Sequence, residues 1–161
     1  TLDLGCGSSR TLATLPATGV GADISMAKLR HARRFGRPLV RASALSLPFR
    51  EGAFRCVVVS QLVNSLPHGA PFLEEISRVL APGGRLVLGT TDQGRFRWRL
   101  LGALYARIVP GARPDKELGR YGQRELIDRI TARGYRLEAT RSILGAEIIL
   151  AFERAGRHSD A

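Results

Sequence analysis

The chain has 161 residues, of which 44% are hydrophobic and 24% are charged. This length predicts a single domain with a sizeable core, and no apolar run reaches the roughly 18 residues that a transmembrane segment needs. The net charge is +11, and arginine supplies all but two of the 25 basic residues. A basic domain can bind nucleic acid or an anionic membrane. Arginines scattered over helices and loops give the same total, and we favour that interpretation over a nucleic-acid partner.

The first predicted element is a short buried strand that ends in a glycine turn. Residues 2–9 read LDLGCGSS, with Asp3 inside the apolar stretch and glycines at Gly5 and Gly7. Glycine is needed where the backbone takes a positive φ or lies directly against a ligand. A second acid, Asp23, ends the next apolar stretch, close to the spacing of a βαβ nucleoside site. Together the two signals predict a site for an adenosine-type cofactor.

The details of the glycine turn distinguish between cofactors. A dinucleotide fingerprint requires a third glycine, and Ser9 and Arg10 stand where it would fall. The acid at Asp3 disfavours a pyrophosphate and suits a ligand that carries an ammonium group. The sequence resembles motif I of the class I S-adenosylmethionine-dependent methyltransferases, an acid and an apolar residue before Gly-x-Gly-x-Gly, except that Ser9 replaces the last glycine. The resemblance implies S-adenosylmethionine as cofactor.

The resemblance continues along the chain in the family's order. Asp23 and Ile24 resemble the second motif, in which the acid holds both ribose hydroxyls and the next side chain packs on adenine. Ser43 and Ala44 precede a Leu-Pro-Phe segment, and Ser43 stands where the family has the acid that contacts the adenine amino group. Residues 54–60 resemble the fourth strand, which ends at Ser60. The resemblance thus implies nine cofactor-binding residues: Asp3, Gly5, Cys6, Gly7, Asp23, Ile24, Ser43, Ala44 and Ser60.

Residues 72–88 give the most specific match. Five apolar side chains share one face of the helix predicted there, namely Phe72, Leu73, Ile76, Val79 and Leu80. Pro82-Gly83-Gly84 is expected to stop this helix before a fifth strand. A helix over 123–134 and strands near 135–140 and 147–152 would complete the family fold. The chain is therefore identified as a member of the class I methyltransferases, of the type 11-like group. We expect an α/β, Rossmann-like, doubly wound sheet of seven mostly parallel strands with a C-terminal antiparallel hairpin.

The predicted domain spans residues 1–154 and is followed by a tail over 155–161. Because the chain begins at Thr1, directly on the first strand, we expect a domain that lacks its N-terminal helices and has weak activity in this form. Residues 92–122 form a predicted insertion on the substrate side, in which Trp98, Tyr105 and Tyr121 would select the acceptor. Within it, residues 95–108 combine four arginines with an apolar stripe. This segment is either an amphipathic helix on the sheet edge or a peripheral membrane contact.

Several reaction classes are disfavoured by missing motifs. The segment after the fourth strand has no Pro-Pro-aromatic motif of nucleobase amino-methyltransferases, and Cys56 is not in a Pro-Cys turn. Nor does it contain the acid cluster of metal-dependent enzymes, so no metal site is expected. Glu74 and Glu75 are expected to be solvated rather than catalytic. What remains is transfer to a small-molecule or lipid-like acceptor, with His68 as the candidate general base.

Two alternatives to that function stay open. An RNA methyltransferase would explain the positive charge, and its RNA binding would weaken steeply with salt. A catalytically silent module with the cofactor fold would explain Ser9 and Ser43. The two cysteines, Cys6 and Cys56, show no metal-binding spacing and are expected to be reduced, as in a cytoplasmic protein.

Overall fold

The sheet has the predicted seven strands. The computed structural model describes residues 1–8, 11–91, 121–143 and 147–156. Its strands are β1 (Leu2–Leu4), β2 (Val20–Asp23), β3 (Leu39–Arg41), β4 (Phe54–Ser60), β5 (Leu80–Thr91), β6 (Tyr135–Ile143) and β7 (Glu147–Arg154). They are ordered β3-β2-β1-β4-β5-β7-β6. The pairings among β1 to β5 are parallel, whereas β7 pairs antiparallel with both β5 and β6. The predicted fold class is confirmed.

Four helices connect the described strands: α1 (Thr11–Thr14), α2 (Met26–Ala32), α3 (Phe72–Val79) and α4 (Gln123–Thr131). Single turns of 3₁₀-helix follow α2 (Arg33–Phe35) and β4 (Val63–Ser65). Helix α2 begins after Ser25, whose side chain accepts a hydrogen bond from the amide of Lys28. Such a cap satisfies one of the free amides of the first turn. None of the helices in the described ranges is both long enough and apolar enough to cross a membrane.

The core lies on both faces of the central strands. All of β1 is buried, and β4 and β5 bury alternate valines and leucines, as expected of parallel strands covered by helices. Of the five residues predicted to share the apolar face of a helix, Phe72, Leu73, Ile76 and Val79 lie on α3 and are buried, as predicted, whereas Leu80 is buried but begins β5.

The end of α3 differs from the prediction. The helix ends at Val79, and β5 already begins at Leu80, so Pro82-Gly83-Gly84 lies inside the strand rather than before it. The pairing of β5 with β4 jumps from Leu80 to Arg85 while β4 advances by only two residues. The physical reason is that proline disfavours helical backbone in the residue before it and cannot donate to a sheet ladder. The segment therefore forms an irregularity within the strand pairing.

The C-terminal elements follow the predicted order with shifted ends. Helix α4 ends at Thr131, three residues earlier than expected, and Gly134 takes a positive φ of 79° at the turn into β6. Strand β6 extends to Ile143 and β7 to Arg154. Most of the insertion, including residues 95–108, and residues 157–161 of the predicted tail lie outside the described residues.

Candidate functional site

The carboxyl ends of β1, β2 and β4 meet at one edge of the sheet. Leu4 pairs with Ala22 of β2 on one side and with Val59 of β4 on the other. The chain leaves β1 toward β2 and β3 and later returns on the opposite side as β4. Ligands of open α/β sheets bind at such a reversal of strand order. This topology gathers the loops that begin at Gly5, the end of β2 and the end of β4.

The glycine loop after β1 is tied to β2 by hydrogen bonds. The amides of Gly5 and Cys6 both donate to the carbonyl of Ala22, at 2.8 and 3.0 Å. Gly5 has a φ of 72° and Gly7 a φ of 53°, which glycine adopts without steric cost. A Cβ on Gly5 would lie only 2.9 Å from the Cβ of Leu62. Both the conformation and the close approach therefore require glycine at this position.

Asp23 links the glycine loop to the start of α2. Its Oδ2 accepts a hydrogen bond from the Gly7 amide and its Oδ1 one from the Ser25 amide, both at 2.8 Å. The residue is 8% exposed. Each carboxylate oxygen has a second lone pair, so Asp23 can still accept hydrogen bonds from a ligand. The next residue, Ile24, is 66% exposed although it is apolar.

Asp3 is fully buried, and neither of its carboxylate oxygens has a hydrogen-bond donor within the described part of the chain. Burial, and to a smaller degree the negative charge of Asp23, raises the pKa of Asp3 to about 6. A buried carboxylate without donors is costly. Such groups concentrate at functional sites, where a ligand supplies the missing donors.

Cys6 lies in the same loop, but its chemistry is that of a core residue. The thiol is buried, and burial together with the charges of Asp3 and Asp23 raises its pKa to about 12. The nucleophilic form of cysteine is the thiolate. Cys6 therefore contributes packing and backbone geometry to the site rather than a nucleophile.

The segment after β3 forms the neighbouring side of the site. The Ser43 hydroxyl accepts a hydrogen bond from the amide of Leu45 at 3.2 Å, and the Ser46 amide donates to the Ser43 carbonyl at 3.1 Å. Ala44 is buried, whereas Leu45 is 39% exposed. Sequence reasoning did not single out Leu45. Its only signal was an apolar residue directly after the predicted Ser43-Ala44 pair.

An arginine–glutamate pair on α3 anchors the continuation of this segment. Glu75 accepts a hydrogen bond from the Leu47 amide at 2.6 Å and pairs with Arg78 at 2.7 Å. Arg78 also donates to the carbonyls of Leu47 and Phe49. The hydrogen bonds from Arg78, and to a smaller degree the one from the Leu47 amide, lower the pKa of Glu75 to about 2. The prediction that Glu75 is solvated is therefore wrong, because the chain folds back onto α3, whereas Glu74 has a side chain that is 53% exposed.

Gln61, at the end of β4, is a site residue that the sequence analysis did not predict. Ser60 is half-buried, and the next residue, Gln61, has a positive φ of 57°. Its amide donates to the Gly89 carbonyl at 2.7 Å, and its side chain contacts Glu147 and Thr91 at 3.1 Å. A residue other than glycine in this conformation costs about 1–3 kcal/mol and is typical of functional sites. Nothing in the residue type of Gln61 signals that conformation.

The described contacts of His68 are with the α4 side of the molecule. Its Nε2 lies 3.1 Å from Oε1 of Glu125, and its ring stacks on Tyr121 with centroids 4.9 Å apart. The Tyr121 hydroxyl accepts a hydrogen bond from the Gly69 amide at 2.9 Å. Tyr121 is fully buried, so here it packs in the core instead of offering a surface to an acceptor.

Eight of the nine predicted cofactor residues lie in or just after the carboxyl ends of β1, β2 and β3, and the ninth, Ser60, lies at the end of β4. Ser9, Arg10, Trp98 and Tyr105 lie outside the described residues. Among the residues that are described, no group of three or more His, Cys, Asp or Glu side chains is placed to hold a metal ion.

The first half of the chain is similar to known methyltransferases. A family model described as a methyltransferase domain matches residues 2–88, more than half of the chain. The demethylmenaquinone methyltransferase of Corynebacterium kroppenstedtii is 36% identical over 90 residues, which cover 54% of this chain and 39% of that protein. An uncharacterized 37.1 kDa protein in transposon TN4556 of Streptomyces fradiae is 31% identical over 144 residues, which cover 83% of this chain and 38% of that protein. The matches thus span about two fifths of the length of these relatives.

A solved structure extends the comparison to the whole fold. A SAM-dependent methyltransferase from Methanosarcina mazei superimposes with a TM-score of 0.79 at 19% identity, covering 97% of this chain and 92% of that one. At this identity the similarity establishes the fold.

Proposed function

This chain belongs to the methyltransferase domain family, and we propose that it transfers the methyl group of S-adenosylmethionine to a small apolar acceptor of the quinone or lipid class. Its membership confirms the predicted class I domain and S-adenosylmethionine as the family's cofactor. The observation that supports the proposed activity best is the buried carboxylate of Asp3, which has no hydrogen-bond donor in the described structure. The negative charge of Asp23 contributes to its raised pKa.

The residues present fit this cofactor. An ammonium group offers three hydrogen-bond donors and a positive charge, which is what the two oxygens of Asp3 lack. Ribose hydroxyls can donate to the free lone pairs of Asp23, whose orientation is fixed by two backbone amides. Exposed Ile24 and Leu45 offer apolar surface to adenine on either side. Ser43 supplies a neutral hydroxyl in place of the family acid.

Catalysis in such a site is mainly positioning. The cofactor, when bound, supplies a methyl group on a sulfonium that is already reactive toward a nucleophile. The chain must therefore hold the acceptor in line with that methyl group and exclude water. Gly5 and Gly7 allow the backbone to approach the ligand, and Gln61 holds the end of β4 through its contacts with Glu147 and Thr91.

His68 is the proposed general base for an acceptor that must lose a proton. Its contact with Glu125 at 3.1 Å is the arrangement in which a carboxylate orients an imidazole and stabilises its protonated form. The stacking on Tyr121 further restricts the orientation of the ring.

The acceptor class rests on the relatives and on the insertion. The similarity to demethylmenaquinone methyltransferases favours a quinone-like acceptor. The aromatic residues of the insertion, Trp98 and Tyr105, are proposed to contribute an apolar lining, and residues 95–108 are proposed to contact a membrane surface that holds such an acceptor.

Cofactor binding is tested by calorimetric titration of S-adenosylhomocysteine into the 161-residue chain. We expect micromolar binding that Asp23→Asn weakens at least tenfold, because the variant loses the charge and one acceptor oxygen. Asp128→Asn makes the same change at an exposed position on α4 and should bind as the parent chain does. A folded chain that fails to bind would contradict the proposal and favour a catalytically silent module.

The acceptor is tested with S-adenosylmethionine labelled in the methyl group. Label should enter a short-chain demethylmenaquinone in its reduced form, in which the ring is nucleophilic. Transfer into RNA, with binding that falls steeply as salt rises, would replace the proposed acceptor by the nucleic-acid alternative.

A further inference from the structure

A groove lies between α2 and β3, next to the end of β2. Its volume is about 300 Å³, and it is lined by Met26, Leu29, Arg33, Arg37, Leu39 and Arg41. None of the nine predicted cofactor residues lines it. Strand β3 is an edge strand of the sheet, so the groove runs along the outer side of the domain. Its size is at the lower end of the range for small-molecule sites.

The groove lies in a part of the chain in which all charged side chains are positive. Residues 24–50 contain seven lysines and arginines and no aspartate or glutamate. None of the three arginines of the groove forms an ion pair with a described acid. Cations that are not neutralised within the protein attract anionic ligands to the cleft that they line.

Two of these arginines are held in place by backbone carbonyls. Arg37 donates from Nη2 to the Leu15 carbonyl at 2.9 Å, and Arg41 donates from Nε to the Ile24 carbonyl at 3.2 Å. The Nε of Arg37 is buried and has no acceptor in the described structure. Because these guanidinium groups are already held in place, they lose little side-chain entropy when they bind an anion.

The remaining lining residues give the groove an apolar wall. Leu29 is only 4% exposed and forms its base, whereas Met26 is 39% exposed. Leu39 is partly buried and packs against the smaller of the two apolar clusters, which contains Leu29. A ligand that fills the groove therefore needs an apolar body as well as an anionic group.

We propose that this groove binds a small organic phosphate, in which the guanidinium groups of Arg33, Arg37 and Arg41 hold the phosphate and the apolar wall holds the organic part. Guanidinium forks match the geometry of phosphate oxygens and form charge-assisted hydrogen bonds with them. The concave shape and the apolar wall favour a small ligand over a polyanion, which would also use cations outside the groove such as Arg30. The proposal does not depend on methyl transfer.

Calorimetric titration of phenyl phosphate into the 161-residue chain at low ionic strength tests this site. Phenyl phosphate should bind at least about tenfold more tightly than inorganic phosphate, and phenol should not bind measurably. Arg33→Gln should weaken phenyl phosphate binding by about tenfold or more, the size expected for a lost hydrogen bond to a charged group. Arg30→Gln, a matched change on the same helix outside the groove, should change it less than twofold.

A second variant separates hydrogen bonding from charge. Arg37→Lys keeps the charge but removes the buried Nε donor, and it should also weaken binding. Arg33 is exposed and its side chain has no described hydrogen bond, so Arg33→Gln keeps the test valid if Arg37→Lys does not fold.

Three results would overturn the proposal. The first is a folded chain that does not bind phenyl phosphate. The second is displacement of phenyl phosphate by S-adenosylhomocysteine, which would place both ligands in one site. The third is equal weakening by Arg30→Gln and Arg33→Gln, accompanied by tighter binding of single-stranded RNA, which would indicate a diffuse polyanion surface.

Discussion

Replacing Asp3 by asparagine should change how the stability of the ligand-free domain depends on pH. The carboxyl is fully buried, has no described donor and lies near the charge of Asp23, and its pKa is raised from 3.8 to about 6. Asparagine has almost the same shape and does not titrate. The substitution therefore isolates the cost of the charge.

The direction in which the free energy of unfolding changes with pH follows from proton binding. Between pH 4 and pH 6 the folded chain keeps a proton on Asp3 that the unfolded chain has lost, so the free energy of unfolding falls as pH rises through this window. At about 1.4 kcal/mol per pKa unit, the shift from 3.8 to about 6 corresponds to about 3 kcal/mol. Because an unperturbed carboxyl is already more than half ionised at pH 4, the stability of Asp3→Asn relative to the parent chain should increase by about 2 kcal/mol between pH 4 and pH 7.

Urea unfolding of both chains at pH 4, 5, 6 and 7 measures this difference. The lowered pKa of Glu75 makes stability rise with pH, but it acts equally in both chains and cancels. Asp128→Asn, at an exposed position, serves as the control and should show a constant difference from the parent. If the difference between Asp3→Asn and the parent chain is also constant from pH 4 to pH 7, the carboxylate is not destabilised by burial and the reasoning fails.

Three further outcomes are expected. Gly5→Ala should lower the free energy of unfolding by about 2 kcal/mol or more, because backbone strain and a steric clash add. Gly36→Ala, at a positive φ with open space around it, should lower it only by the backbone strain of about 1 kcal/mol. Equal losses for the two variants in urea unfolding would disprove the clash at Gly5. Glu75→Gln should cost about 2 kcal/mol through its charged hydrogen bonds, and the exposed Glu74→Gln less than about 1 kcal/mol, so a reversed order would contradict the assigned contacts. Cys6 should resist iodoacetamide at pH 8.5 until the chain unfolds, as followed by mass spectrometry, and rapid alkylation of the native chain would show an accessible thiolate.

Local patterns predicted the parts of the fold that depend on neighbouring residues. The glycine turn after β1 follows from backbone geometry that few residues besides glycine adopt, and the buried face of α3 follows from helical periodicity. The order of the strands came from the resemblance to the family. The end of α3 was misplaced because the effect of Pro82 extends to the residues before it.

The properties that were missed arise from contacts between distant segments. Glu75 is not solvated, because the Leu47 amide, 28 residues away in sequence, folds onto it. The positive φ of Gln61 depends on its hydrogen bond to Gly89 in the neighbouring strand. Likewise, no donor from the rest of the described chain reaches the Asp3 carboxylate. Residue types and spacing carry none of this information.

The protonation of Asp3 also links cofactor binding to pH. A ligand with an ammonium group interacts favourably with the ionised carboxyl, so it must displace the proton that burial retains up to about pH 6. At pH 5 only about one tenth of a carboxyl with this pKa is ionised, whereas at pH 7 about nine tenths is. The affinity for S-adenosylhomocysteine should therefore increase about tenfold from pH 5 to pH 7, and calorimetry in two buffers of different ionisation enthalpy should detect proton release at pH 5. Asp3→Asn should bind more weakly at pH 7 and show neither effect. If the parent chain binds equally well at both pH values without releasing protons, Asp3 does not face the ammonium group, and its buried charge needs another explanation.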